Sequence, residues 1–120
     1  AETGELLWRQ VVDPHPNAAI TGSLSVAGGR VFVPLSSNDD INSMDPAYPC
    51  CTHRGSVVAL DVQTGALLWR TPTIEEEPVR SGRTSIGTAI HGPSGASVWN
   101  TPTIDEARGL LYVGTGNNHS

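Results

Sequence analysis

Lysine is absent from this chain, and its seven basic residues are all arginines scattered between Arg9 and Arg108. A nucleic-acid footprint needs basic side chains clustered on one face, so that class of partner is excluded. Long apolar runs are missing too. No stretch approaches the ~20 residues needed to cross a bilayer, which excludes a transmembrane span in this segment. No window carries a sustained apolar repeat at helical spacing, which excludes a helical bundle. Aromatics are few, at three Trp, two Tyr and one Phe. Cysteine is rarer still, and Cys50, Cys51 and His53 do not supply the ligands at set spacings that a tetrahedral zinc site requires. No leader pattern precedes the first expected strand, which leaves the compartment open. The net charge of −5 identifies no partner.

What the chain does contain is punctuation and repetition. Thirteen glycines and nine prolines fall between short apolar runs, the pattern of an all-β chain with many turns. Thr3-Gly4-Glu5-Leu6-Leu7-Trp8-Arg9 recurs as Thr64-Gly65-Ala66-Leu67-Leu68-Trp69-Arg70, with one of seven residues changed. Gly29-Arg30-Val31-Phe32-Val33 is echoed more loosely by Gly109-Leu110-Leu111-Tyr112-Val113. Each of these follows an alternating stretch, residues 21–26 and 100–104, that reads as its hairpin partner.

The expected order is therefore an outer strand within residues 1–9, a complete four-stranded unit over residues 19–71, and the first half of another over residues 97–120. Repeating four-stranded antiparallel sheets imply radial propeller packing, because each sheet has a face that only a neighbouring sheet can cover. About one and three-quarter blades cannot close a ring, so the chain is expected to be a fragment that folds poorly alone. Trp8 and Trp69 are expected to dock between blades. Two inserts, residues 36–54 and 72–97, exceed the roughly 12–15 residues of ordinary connections, and loops that long are commonly functional.

Cys50 and Cys51 are adjacent. Neighbouring Cα atoms sit about 3.8 Å apart across a trans peptide, below the usual range of ~4.4–6.8 Å for bridged cysteines. A bond between them would distort the peptide. The residues alone leave three readings open: a vicinal disulfide, two unlinked thiols, or partners for cysteines elsewhere.

Three stretches carry a family resemblance. Asp61, Thr64, Gly65 and Trp69 form an Asp-x-x-Thr-Gly-x-x-x-Trp docking repeat. Tyr48-Pro49-Cys50-Cys51-Thr52-His53-Arg54-Gly55 is the second. Gly92-Pro93-Ser94-Gly95-Ala96-Ser97-Val98-Trp99-Asn100-Thr101-Pro102-Thr103-Ile104-Asp105, followed by Tyr112-Val113-Gly114-Thr115-Gly116-Asn117, is the third and most specific. Together they resemble the quinoprotein alcohol dehydrogenases that use pyrroloquinoline quinone, and most closely their polyvinyl-alcohol-dehydrogenase-like branch. The resemblance implies one part of a larger, eight-bladed propeller.

It also implies a site. In that family a flat quinone lies on the propeller axis between a Trp floor and a vicinal-disulfide roof, and Ca²⁺ or a lanthanide bridges it to an Asn and an acidic side chain. Trp99 stands 18 positions before Asn117, as the family's floor Trp stands before its metal-binding Asn. By that resemblance Cys50, Cys51, Arg54, Ser97 and Trp99 would bind the cofactor, with Arg54 pairing to a quinone carboxylate. Asp40 and Asn117 would bind the metal. Asp39 is the alternative to Asp40, because Ser36-Ser37-Asn38-Asp39-Asp40 replaces the family's glutamate with two shorter acids.

Plainer readings stand beside these: Trp99 as a third docking Trp, Asn117 as a turn residue, Asp40 as a solvated acid and Arg54 as a surface cation. One departure is visible. The Cys pair and the acids share one loop here, whereas in methanol-dehydrogenase relatives they come from different blades, so the pair's position over the ring is open. The activity implied is oxidation of a primary, secondary or polymeric alcohol in the periplasm. Electrons would pass to a cytochrome c, with any haem c in a separate domain or partner. The family's catalytic base, an Asp in a later blade, lies outside this chain, and none is assigned here. The alternative is a non-catalytic propeller scaffold.

Overall fold

The computed structural model describes residues 2–119. Its strands in chain order are β1 (Ala18–Ala19), β2 (Ser25–Ala27), β3 (Arg30–Ser37), β4 (Ser56–Asp61), β5 (Leu67–Pro72), β6 (Val79–Arg83), β7 (Ala89–Gly92), β8 (Ser94–Gly95), β9 (Thr103–Asp105), β10 (Leu110–Tyr112) and β11 (Asn118–His119). A single helical turn, α1 (Asp39–Asn42), follows β3. The described residues are nearly all-β and antiparallel, and no barrel closes among them.

The central sheet runs β2-β3-β4-β5, with β1 pairing the far end of β3. β3 and β4 are apolar on both faces because both faces are covered. Val31, Val33, Leu35, Val58 and Leu60 form one cluster, closed by Trp8 and Val12 from the N-terminal segment. Phe32, Val57, Ala59 and Val98 form the other, closed by Trp69, Ile104, Leu111 and Val113. The β9–β10 hairpin therefore lies against one face of the sheet and the N-terminal segment against the other, as neighbouring blades would. Pro34 interrupts the run harmlessly. It sits between the stretch of β3 paired with β2 and the stretch paired with β1, where that edge needs no N–H donor.

The Asp61–Gly65 turn shows why its residues repeat. The Asp61 carboxylate accepts from the backbone N–H groups of Gln63 at 2.9 Å and Thr64 at 2.8 Å. Those bonds hold its carboxyl below the usual carboxylate range. Gly65 has φ +72°, and a Cβ there would stand 2.4 Å from the Trp8 ring. The Trp8 indole N–H donates to the Val62 carbonyl at 3.0 Å. Trp8 thus closes one blade face by resting on a turn that only glycine permits.

Three features differ from the expectations. Of the outer strand expected within residues 1–9, the described residues 2–9 form no ladder, and no described strand lies beside them; Leu6 and Leu7 are left exposed. The insert at residues 72–97 is not a plain loop but contains the β6–β7 hairpin and β8. The insert at residues 36–54 opens on the last two residues of β3 and contains α1.

The whole is spread out. Its radius of gyration is 16.3 Å, against about 14 Å for a compact domain of this length. Its accessible surface is 7562 Å², against roughly 6200 Å² for a compact monomer of this mass.

Candidate functional site

The site forms where the end of β3, the start of α1, and residues 97–99 and 115–117 converge. Its key segment, residues 94–98, is wedged between two others. The Gly95 N–H donates to the His53 carbonyl and the Gly55 N–H to the Gly95 carbonyl, each at 2.8 Å. On the other side the Ala96 N–H donates to the Asn117 carbonyl and the Gly116 N–H to the Ser97 carbonyl, again at 2.8 Å. The approach is close enough to require glycine: a Cβ on Gly55 would lie 2.1 Å from the Ala96 carbonyl oxygen, and one on Gly95 2.8 Å from that of Asn117. The Val98 N–H then reaches the Leu35 carbonyl at 3.0 Å and sends the Val98 side chain into the core. Alternation turns Trp99 the other way, 64% exposed.

Trp99, Ser97, Asp40 and Asn117 line one cavity of about 590 Å³, with Thr21, Ser36, Thr115 and Gly116. Four of the seven residues singled out in the sequence are therefore brought together. The acids of the Ser36–Asp40 run divide. Asp40 is exposed at the cavity, whereas Asp39 is fully buried and accepts hydrogen bonds from Asn17 Nδ2 at 3.0 Å and Tyr48 Oη at 2.7 Å. Asp40 also pairs with His119 Nε2 at 3.1 Å.

Cys50 and Cys51 are joined by a disulfide and held to the β6–β7 hairpin, with the His91 N–H donating to the Cys50 carbonyl at 2.8 Å. They face a second cavity of about 230 Å³, lined also by Tyr48, His91 and His119. His119 therefore stands at the boundary between the two cavities. In this structure the Cys pair lies beside the Trp99 cavity and is not part of its lining.

Arg54 is placed elsewhere. Its guanidinium donates to the carbonyls of Ile74 at 3.0 Å and Glu75 at 2.9 Å, and pairs with the Glu77 carboxylate. Those acceptors occupy the group that a ligand carboxylate would need. Arg54 shares its surroundings with Asp13, His53 and Arg70. His53 is 1% exposed and its Nε2 is 3.3 Å from Asp13 Oδ2. Burial pushes His53 below the usual histidine range despite the opposing pull of Asp13.

Chemically, the main cavity offers an aromatic face bordered by a carboxylate, a carboxamide and several hydroxyls. That set suits a flat aromatic ligand and a hard cation, since Ca²⁺ takes oxygen ligands of these mixed kinds. Among the described residues no group of three or more His, Cys, Asp or Glu gathers as a metal cluster, so Asp40 and Asn117 would complete a cation's shell only with other oxygens. Thr21, Ser36, Thr115 and His119 were not singled out in the sequence. Thr115 lies inside the Tyr-x-Gly-x-Gly-Asn stretch and was within reach of that reading; Thr21 arrives through the packing of Gly22 on the Trp99 and Asn100 backbone, which leaves no sequence signal.

The fold is that of a partial propeller, with one cavity that joins an aromatic side chain to several oxygens. Residues 6–120 match the model of the glucose/ethanol/alcohol dehydrogenase β-propeller domain, and the chain belongs to that quinoprotein dehydrogenase family. It is 45% identical over its full length to a polyvinylalcohol dehydrogenase of Sphingopyxis sp. (strain 113P3), and 40% identical to one of Pseudomonas sp.. A lupanine 17-hydroxylase [cytochrome c] of Pseudomonas sp. is 36% identical over 77 residues, 63% of this chain and 10% of that protein. The chain spans 18% and 19% of the two polyvinylalcohol dehydrogenases.

Proposed function

We propose that this chain supplies the aromatic floor and the cation-binding oxygens of the quinone site in a larger alcohol dehydrogenase. The observation that carries this reading is the convergence of Trp99, Ser97, Asp40 and Asn117 on one cavity. A tryptophan left 64% exposed there has no packing role in either core cluster, unlike Trp8 and Trp69.

When bound, pyrroloquinoline quinone supplies a two-electron acceptor, and Ca²⁺ or a lanthanide the Lewis acid that polarises it. The chain's own residues bind and orient. Trp99 offers its π-face to the ring, and the Ser97 hydroxyl a hydrogen bond to a ligand oxygen. Asp40 and Asn117 offer oxygens to the cation, which requires Asp40 to exchange its His119 partner. The Cys50–Cys51 disulfide and His119 line the neighbouring cavity beside this one, and Arg54 anchors residues 74–77. The carboxylate that removes the alcohol proton is supplied from outside this chain.

The names of the relatives support an alcohol substrate, with a polymeric secondary alcohol first among candidates. The third supports a cytochrome c as acceptor, carried as haem c in another domain or in a partner. A periplasmic location follows from the same reading. No helix is long and apolar enough to cross a membrane among the described residues.

The test is titration of the full-length apoprotein with pyrroloquinoline quinone and Ca²⁺. Saturable quenching of tryptophan fluorescence, followed by alcohol-dependent reduction of a cytochrome c, is the expected result. A full-length protein that binds neither quinone nor Ca²⁺ would be a propeller scaffold.

A further inference from the structure

Asp39 is buried outright, at 0% exposure. A buried carboxylate is costly unless hydrogen bonds satisfy it, and here three donors converge on it. Tyr48 Oη donates at 2.7 Å and Asn17 Nδ2 at 3.0 Å to Oδ1, and the His53 backbone N–H approaches Oδ2 at 3.3 Å. Asn17 is held in turn by Asn42, whose Nδ2 donates to its Oδ1 at 3.2 Å, and by Asn38, whose N–H donates to its carbonyl at 2.9 Å. Burial and the Asp39 carboxylate push the Tyr48 phenol up to about 12, so it remains a donor at neutral pH.

The sequence positions of these partners matter. Asp39 immediately precedes Asp40, the acid at the Trp99 cavity. Tyr48 and His53 flank the Cys50–Cys51 pair on either side. One carboxylate therefore closes the loop that carries both features, from its first helical turn to the start of β4.

We propose that Asp39 is a positioning residue of the cofactor site, its buried carboxylate tying Asn17, Tyr48 and the His53 backbone into one unit that aims Asp40 at the cation and fixes the disulfide in the neighbouring cavity. The inference rests on the site reading above and extends it to a residue that touches neither ligand. Residues that orient a metal ligand from behind typically set about 10–100-fold of the metal affinity.

The experiment measures Ca²⁺ affinity of the full-length protein by calorimetric titration, well below each variant's melting temperature, for wild type, Asp39→Asn, Tyr48→Phe and Asp40→Ala. Asp39→Asn keeps the shape but turns an amide donor toward donors that need an acceptor. The expected result is a Ca²⁺ Kd raised about 10–100-fold in Asp39→Asn and by a smaller factor in Tyr48→Phe. A residue that serves stability alone would lower the melting temperature and leave that Kd unchanged. If Asp39→Asn does not fold, Tyr48→Phe carries the test, because Asn17 and His53 still satisfy the carboxylate. A Kd unchanged in the folded Asp39→Asn protein, or in Tyr48→Phe where that variant decides, while Asp40→Ala loses the ion, overturns the positioning role and leaves the site reading intact. A Kd unchanged in Asp40→Ala removes the site reading, and the positioning role with it.

Discussion

Trp99→Ala tests the proposed cofactor floor apart from the fold. The indole is 64% exposed, and a tryptophan presents roughly 250 Å² in all. About 160 Å² therefore faces solvent, and one ring face accounts for about half of it. Covering ~80 Å² contributes about 2 kcal/mol at ~25 cal/mol per Å². Offset stacking of two aromatic systems adds about 0.5–1.5 kcal/mol. The quinone should then bind the variant about 70- to 400-fold more weakly. Stability should move by no more than about 0.5 kcal/mol, because an exposed ring removes little from the core. Trp69→Ala is the control. Trp69 packs 6.0 Å from Phe32 by ring centroids within the second core cluster, so its loss should cost about 3 kcal/mol of stability and leave quinone affinity nearly unchanged in protein that remains folded. Fluorescence titration with the quinone and urea denaturation of the full-length proteins give the two readouts. Wild-type affinity in Trp99→Ala would refute the floor assignment.

Asn117→Ala should weaken Ca²⁺ binding by more than about tenfold without unfolding the protein, since the backbone carbonyl that accepts from Ala96 is kept; calorimetric titration checks it. Gly65→Ala should destabilise the ring by at least about 1 kcal/mol, because the new methyl meets Trp8 and φ is +72°; a urea midpoint that does not fall would contradict that turn's role. Burial lowers the His53 pKa, so below pH ~6.5 the unfolded chain takes a proton that the native state declines. Stability should fall as pH drops from 6.5 toward the lower native value, and a His53→Gln variant should show a flatter urea midpoint across that window. Residues 1–120 alone should melt with weak cooperativity and self-associate, given exposed Leu6, Leu7 and Val11; a sharp melt from a monodisperse monomer in light scattering would contradict it.

The fold was legible in the sequence wherever local chemistry and tertiary packing agree. The Asp61–Gly65 turn uses an aspartate to cap its own backbone and a glycine to admit Trp8, so its spacing is written into five adjacent residues. β3 and β4 were legible for the same reason, since apolar side chains on both faces leave no other use for the run. The β6–β7 hairpin was not. Its residues Val79, Arg80, Ser81 and Arg83 are exposed and alternate with no apolar partner, so the pairing leaves no period-2 signal for a reader to find. Residues 2–9 show the opposite case. Their sequence repeats that of β5, but a ladder needs a second strand, and no described strand lies beside them.

The site divides along the same line. Ser97, Trp99 and Asn117 come to one cavity because two glycine contacts and five backbone hydrogen bonds lock residues 94–98 between neighbours, and such close approaches tolerate little variation in spacing. Asp40 against Asp39 was not decidable from two identical side chains; burial and three donors separate them only once the loop is closed. Arg54 shows the limit most clearly. Its residue type suits a carboxylate of any origin, and in this fold residues 74–77 supply carbonyls and a carboxylate before a ligand arrives. A motif fixes which groups a family can present. The competition among nearby acceptors fixes which of them are free to bind, and that competition is set by loops whose composition carries no period at all.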